Sequence, residues 1–118
     1  MCIRDSLKGQ NNRTEMYSAL KAEVEVRDDA ATRLNMPLIE QLKSHAQVVI
    51  CGQAKSHCVN HSTRDLLSQW PARRAADLVL LTDCTTAVAG FEASADEFEA
   101  DMRAAGVTLV SSKEYSPI

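Results

Sequence analysis

The sequence is poor in aromatic residues and carries no surplus of positive charge. Aromatic side chains make up 4% of the 118 residues, and the formal net charge at pH 7 is −3. Proteins that bind nucleic acid through its phosphates present a basic stripe or patch, and the sequence has none. It therefore gives no reason to expect a nucleic-acid partner.

Long hydrophobic runs and regular cysteine spacings are also absent. No segment approaches the ~20 apolar residues that a membrane-spanning helix needs, and Met1–Lys8 lacks the apolar centre of a signal peptide. The cysteines at positions 2, 51, 58 and 84 show no disulfide framework. These absences argue against a membrane partner and favour a reducing, cytoplasmic location.

What is present indicates a single α/β domain, because 118 residues form one domain at most. Apolar runs predict buried strands at Val48–Cys51, Leu78–Leu81 and Val107–Val110, and Glu23–Val26 alternates like a short exposed strand. Helical periodicity predicts helices after an Asn35 cap with Pro37 in the first turn, from Val59 to Trp70, and from Phe91 to Ala105. Strands that alternate with helices predict a mainly parallel sheet with right-handed crossovers.

Cys58 is the candidate nucleophile, because it lies where a buried strand gives way to a helix N-terminus. Unpaired N–H groups at a helix start carry partial positive charge. They favour the thiolate, which is the nucleophilic form of cysteine, and they can hold the oxyanion that forms when a carbonyl is attacked. The alternative is a buried cysteine of the core, a common place for this residue.

The segment Gly52–Val59, GQAKSHCV, resembles the nucleophile signature of the isochorismatase-like cysteine hydrolases, a superfamily that includes nicotinamidases. The resemblance implies a three-layer α/β/α fold with Cys58 as the nucleophile. It also implies a cis peptide bond before Ala54, and an oxyanion hole made by the N–H groups of Ala54 and Cys58. Ser56 stands where many members carry Asp, a departure that bears on the substrate and leaves the nucleophile in place.

Lys8 is the second candidate catalytic residue. Lys8-Gly9, followed by Tyr17-Ser18-Ala19, resembles the Lys-Gly…Tyr-Ser stretch that precedes the nucleophile strand in this family. The resemblance implies that Lys8 lies beside Cys58, where a cation favours the thiolate and stabilises developing charge. The alternative is a solvated lysine in a polar loop.

The family's catalytic aspartate has no counterpart in the chain. It belongs at the end of a first strand, and we reject Asp5 because no strand precedes it. The family's metal-binding Asp/His cluster would fall in the same absent part, so no metal or other cofactor is expected in this chain. The resemblance covers Lys8 to about Ser112 and predicts one incomplete, N-terminally truncated domain over 1–118. Whether Met1–Ser6 is native coding sequence stays open.

Three residues near the predicted site have structural interpretations. Asp83 follows the second buried strand and is predicted to cap a turn. Phe91 opens the last helix and is predicted to belong to the core. His57 either lines the pocket, orders the loop or is exposed at the helix start.

These observations predict a nicotinamidase-like amidase that releases ammonia from a small carboxamide through a thioester. Within the hydrolase class, carbamoyl or isochorismate-type substrates are alternatives. A metal-binding module made by Cys51, His57, Cys58 and His61 is a further alternative, but the spacing is unlike that of zinc motifs. The last alternative is a non-catalytic protein of the same fold. No substrate-binding residue is assigned, and a homo-oligomer is left open.

Overall fold

The alternation of strands and helices expected from the sequence is present in the molecule. The computed structural model describes residues 5–117, so Cys2 and most of Met1–Ser6 lie outside the described residues. Within that range the α-helices are α1 (Met36–Lys43), α2 (Cys58–Ser68) and α3 (Glu92–Ala104). The strands are β1 (Val48–Ile50), β2 (Leu78–Leu81) and β3 (Thr108–Val110), and short 3₁₀ turns cover Ala30–Thr32 and Ala72–Asp77.

The strands form one parallel sheet in the order β1–β2–β3. Val49 lies opposite Val79, and Leu80 lies opposite Leu109. Leu78, Val79 and Leu80 of the central strand are each at most 1% exposed. Because successive side chains of a strand point to opposite faces, both faces of β2 are covered. The predicted α/β fold with a mainly parallel sheet is confirmed.

β1 is an edge strand and is less buried than its sequence suggested. Val49 is 40% exposed, and Cys51, directly after the strand, is exposed. The prediction that this strand is buried on both faces is therefore wrong. The reason is that β1 pairs only with β2 among the described strands, which leaves a groove of about 350 Å³ beside it, lined by Leu20, Leu38 and other mostly apolar residues.

The ends of the first two helices follow local signals, with small differences from the sequence pattern. Asn35 caps α1 by accepting a hydrogen bond from the N–H of Leu38 at 3.2 Å, and Pro37 lies in the first turn, both as predicted. α1 ends at Lys43, which leaves Ala46 outside it. Among the described residues, no helix combines the length and apolar character needed to cross a bilayer.

α2 is shorter than predicted, because it ends at Ser68 and leaves Trp70 beyond it. Trp70 is still buried, and its indole N–H donates to the carbonyl of Arg74 at 2.9 Å. The helical spacing of apolar residues therefore predicted correctly that Trp70 is buried. It was wrong in placing Trp70 within the helix.

α3 buries the face that its periodicity predicted, through Ala95, Phe98 and Met102. Phe91 is the residue that precedes the helix, and it is 48% exposed. The prediction that Phe91 belongs to the core is wrong. Its ring instead lies against the His57 ring, with 4.8 Å between the centroids.

The segment from Glu23 to Val26 is not a strand, contrary to its alternating pattern. The Thr14 hydroxyl donates to the carbonyl of Val24 at 2.7 Å, and the N–H of Glu23 donates to the carbonyl of Glu15 at 2.8 Å. These hydrogen bonds to a neighbouring loop satisfy the backbone polar groups without a strand ladder. The alternation does not correspond to two faces, because Glu23, Val24 and Glu25 are all exposed and only Val26 is partly buried.

Candidate active site

Cys58 is the first residue of α2, at the carboxyl edge of the parallel sheet, as the sequence pattern predicted. Its side chain is partly buried. The Nζ atom of Lys8 lies 3.2 Å from Cys58 Sγ. The structure therefore brings together the two residues that the resemblance placed in catalysis, although they are far apart in the chain.

The loop that carries Lys8 is held against α2 through its far end. The N–H of Ala19 donates to the hydroxyl of Ser62 on α2 at 2.7 Å. The hydroxyl of buried Ser18 accepts from the N–H of Leu20 at 3.0 Å, which fixes the turn. The Tyr17-Ser18-Ala19 segment thus anchors the loop to the same helix whose first residue is Cys58.

The connection from β1 to α2 is fixed by the segment that follows β2. The N–H of Lys55 donates to the carbonyl of Thr86 at 2.8 Å, and the hydroxyl of Ser56 accepts from the N–H of Val88 at 3.0 Å. The Lys55 ammonium also forms an ion pair with Glu99 of α3 at 2.7 Å. Nothing local to α3 indicates that Glu99 has this partner, because Lys55 comes from the connection between β1 and α2.

The peptide bond between Gln53 and Ala54 is cis, as the resemblance implied. The carbonyl of Ala54 accepts from the N–H groups of His57, at 3.1 Å, and of Val59, at 3.0 Å, so the turn closes onto the start of α2. Within residues 5–117, the N–H groups of Ala54 and Cys58 have no hydrogen-bond acceptor. Both backbone donors are therefore without a partner in this part of the chain.

The rings of Tyr17, His57, His61 and Phe91 form an aromatic cluster next to Cys58. The Tyr17 centroid lies 5.7 Å from that of His57 and 5.6 Å from that of His61. The hydroxyl of Ser56 is 2.8 Å from Nδ1 of His57, which orients that ring. The sequence left the role of His57 open, and no local pattern indicated that Tyr17 and Phe91 would meet it.

Comparison with known proteins gives one similarity of fold. No protein-family model matches the sequence, and no curated protein matches it. A solved structure described as the nicotinamidase pyrazinamidase of Acinetobacter baumanii matches with a TM-score of 0.61 and 19% sequence identity. The match covers 86% of this chain and 44% of that chain, so the chain spans less than half of that protein's length. Over the matched part, the chain shares the α/β fold of that structure.

Other groups that the sequence suggested do not come together at this site. In residues 5–117, no three His, Cys, Asp or Glu side chains lie close enough together to hold a metal ion. The structure therefore does not assemble Cys51, His57, Cys58 and His61 into a zinc site. Asp5 is exposed and forms no hydrogen bond with Cys58.

Asp83 lies at the carboxyl edge of the parallel sheet and connects the end of β3 to the end of β2. Its carboxylate accepts from the Ser112 hydroxyl at 2.6 Å and from the Ser112 N–H at 2.7 Å. These hydrogen bonds, from the hydroxyl first and then from the amide, hold the pKa of Asp83 below its ordinary value. The prediction that Asp83 caps a turn is close to its observed role, but its partner comes from the far end of the chain.

We expect Asp83→Asn to flatten the acid dependence of stability. The folded state lowers the pKa of Asp83, so the unfolded chain takes up this proton first, near the ordinary aspartate value of about 3.9. The stabilisation by Asp83 is therefore complete well above that pH, and it is lost as the pH falls from there through the lower pKa of the folded state. Thermal unfolding followed by circular dichroism at neutral pH and at about pH 3 should show a smaller difference for Asp83→Asn than for the native chain.

The matched control is Asp96→Asn, at an exposed position of α3. This variant should show the same acid dependence as the native chain. An unchanged acid dependence in Asp83→Asn would mean that the hydrogen bonds to Ser112 do not contribute to stability.

Proposed function

We propose that the chain is the C-terminal part of a cysteine hydrolase of small carboxamides, with Cys58 as nucleophile. The observation that carries this proposal is the 3.2 Å contact between Lys8 Nζ and Cys58 Sγ at the start of α2. An ammonium group and a helix N-terminus both favour the thiolate. The similarity of fold to a structure described as a nicotinamidase supports a carboxamide as the substrate class.

In the proposed reaction, Cys58 Sγ attacks the carboxamide carbon and forms a carbon–sulfur bond. The carbonyl oxygen takes up negative charge, and the N–H groups of Ala54 and Cys58 are the donors proposed to bind it. Their lack of other acceptors in the described residues supports this role. The carbon–nitrogen bond then breaks as the nitrogen receives a proton, and ammonia leaves a thioester on Cys58.

The second half of the reaction returns the enzyme to its starting state. Water attacks the thioester carbon, the carbon–sulfur bond breaks, and the carboxylic acid is released with the Cys58 thiolate restored. The Lys8 side chain lies beside the sulfur and is proposed to stabilise the thiolate before and after the reaction. We propose that the rings of the aromatic cluster, which are tilted against one another, contact the rest of the substrate.

Both halves need a group that accepts and returns a proton. Among residues 5–117, no carboxylate is hydrogen-bonded to Cys58. We propose that this base, and any metal site of the intact protein, lies outside the 118 residues. The 44% coverage of the nicotinamidase chain is in keeping with such a missing part.

A second candidate is a non-catalytic protein of the same fold. The observation that favours it is the lack of a carboxylate at Cys58 in the described part of the chain. In this case the contact between Lys8 and Cys58 would have a structural role. Changes at Cys58 would then alter stability and nothing else.

The experiment is a measurement of ammonia release from nicotinamide, benzamide, acetamide and an N-carbamoyl amino acid. It compares the 118-residue chain, a form extended by the upstream coding sequence, and Cys58→Ala in both. We expect the extended form to release ammonia and to carry an acyl group on Cys58 in intact-mass spectra, and we expect Cys58→Ala to lose both signals.

The outcomes separate the candidates. Release that persists in Cys58→Ala would rule out Cys58 as the nucleophile. Release by the 118-residue chain would place the base within it. No release and no acyl adduct in either form would favour the non-catalytic protein, and the preferred amide would identify the substrate class.

A further inference from the structure

Cys51 and Cys84 lie at the same edge of the sheet, on neighbouring segments. Cys51 directly follows β1 and Cys84 follows β2, and these strands are paired in parallel. The N–H of Gly52 donates to the carbonyl of Cys84 at 3.0 Å, so the two backbones are hydrogen-bonded at this point. Backbones joined by such a hydrogen bond are neighbours, and adjacent segments of this kind can supply the roughly 4.4–6.8 Å between Cα atoms that a disulfide needs.

The two thiols are free, and they differ in exposure. Cys51 is exposed and Cys84 is partly buried. Burial raises the pKa of the Cys84 thiol, and the charge of Asp83 raises it further. A charged Cys51 thiolate contributes to the same rise, as expected of two sulfur groups that lie near each other. Cys51 is thus the accessible thiol and Cys84 the protected one.

We propose that Cys51 and Cys84 form a reversible disulfide when the chain meets a peroxide. The Cys51 thiolate attacks one peroxide oxygen, the oxygen–oxygen bond breaks, and Cys51 becomes a sulfenic acid. The other oxygen leaves as hydroxide, which takes a proton from the solvent and becomes the first water. The Cys84 sulfur then attacks the Cys51 sulfur, and the sulfur–oxygen bond breaks. The departing hydroxide takes the Cys84 proton and leaves as the second water, so two thiols are oxidised and one peroxide is reduced.

The cross-link joins the two segments that hold the site in place. Gly52 begins the connection to Cys58, and Cys84 begins the segment whose Thr86 and Val88 bind that connection. The disulfide therefore reinforces contacts that the reduced chain already makes, and it leaves the Cys58 thiol free. A disulfide of this kind in a reducing compartment is transient and responds to oxidants.

The test treats the full chain with hydrogen peroxide, blocks the remaining thiols with N-ethylmaleimide and maps the peptides by mass spectrometry. We expect a peptide pair linked through Cys51 and Cys84, with the mass of two hydrogen atoms lost, which dithiothreitol reverses. The same linkage should form in a Cys2→Ser, Cys58→Ser variant that keeps only this pair. Cys84→Ser should abolish it and leave Cys51 oxidised but unlinked.

A matched sample oxidised in urea provides the control for geometry. There the four cysteines should pair without preference, whereas the folded chain should give the linkage between Cys51 and Cys84 in several-fold excess. A folded chain that links Cys51 to Cys58, or that leaves Cys51 and Cys84 unlinked after peroxide treatment, overturns the proposal.

Discussion

Replacing Lys8 with methionine is expected to slow the alkylation of Cys58 by iodoacetamide about fivefold at neutral pH, because alkylation proceeds through the thiolate. The Lys8 ammonium lies 3.2 Å from Cys58 Sγ in a partly buried contact. Removing that positive charge removes an attraction that favours the thiolate, worth on the order of 1 kcal/mol in a site that solvent partly screens. Methionine keeps a similar length and apolar stem, so the change isolates the charge.

Two further variants test whether the effect belongs to this one contact. Lys8→Arg keeps the positive charge and should retain most of the alkylation rate. Lys43 lies at the end of α1, on the opposite edge of the sheet, and is paired with Glu40. Lys43→Met should therefore leave the alkylation rate of Cys58 unchanged. The rate is read on the Cys58 peptide by mass spectrometry. Equal rates for Lys8→Met and the native chain would remove Lys8 from the mechanism.

Replacing Phe98 with alanine is expected to lower the free energy of unfolding by about 3–5 kcal/mol, the usual range for deleting a buried aromatic side chain. Phe98 is 0% exposed and belongs to the main hydrophobic cluster. The Arg64 guanidinium also lies 5.8 Å from the centre of its ring, so the change removes a cation–π contact as well. Urea unfolding followed by circular dichroism measures the loss.

Phe91→Ala is the matched control, since it removes the same side chain next to the same helix. Phe91 lies at the surface just before α3, so its removal should change the free energy of unfolding by less than about 1 kcal/mol. Similar losses for the two variants would mean that the aromatic cluster stabilises the fold as much as the core does.

The strands and helices were predictable where the signal is local. β2 is a short apolar run with both faces covered, and α3 repeats its buried residues with helical spacing. Phe91 was misjudged because the same spacing extends one residue beyond the start of α3, where the backbone is no longer helical. At that point the ring is free to turn toward His57, a residue from another segment.

The site depends on contacts that no local pattern contains. Lys8 lies in an irregular loop, and its sequence neighbours carry no periodicity that would place it at Cys58. The expectation that Lys8 lies beside Cys58 came from the resemblance alone, and the structure brings these two side chains together. The contacts of Glu99 with Lys55 and of Ser112 with Asp83 were not predicted. The partners are distant in sequence, and no motif connects them.

The arrangement around Trp70 gives the chain a built-in optical probe. Trp70 is the single tryptophan of the sequence, and the Arg74 guanidinium lies 5.2 Å from the centre of its ring. Arg74 also binds the carbonyls of Lys43 and His45, so loss of the fold would release the indole into water and shift its fluorescence to longer wavelength. The 11 residues of α2, about 16 Å long, separate Trp70 from Cys58. Emission from this residue should therefore report unfolding and stay silent during chemistry at the thiol, which distinguishes an inactivated chain from an unfolded one.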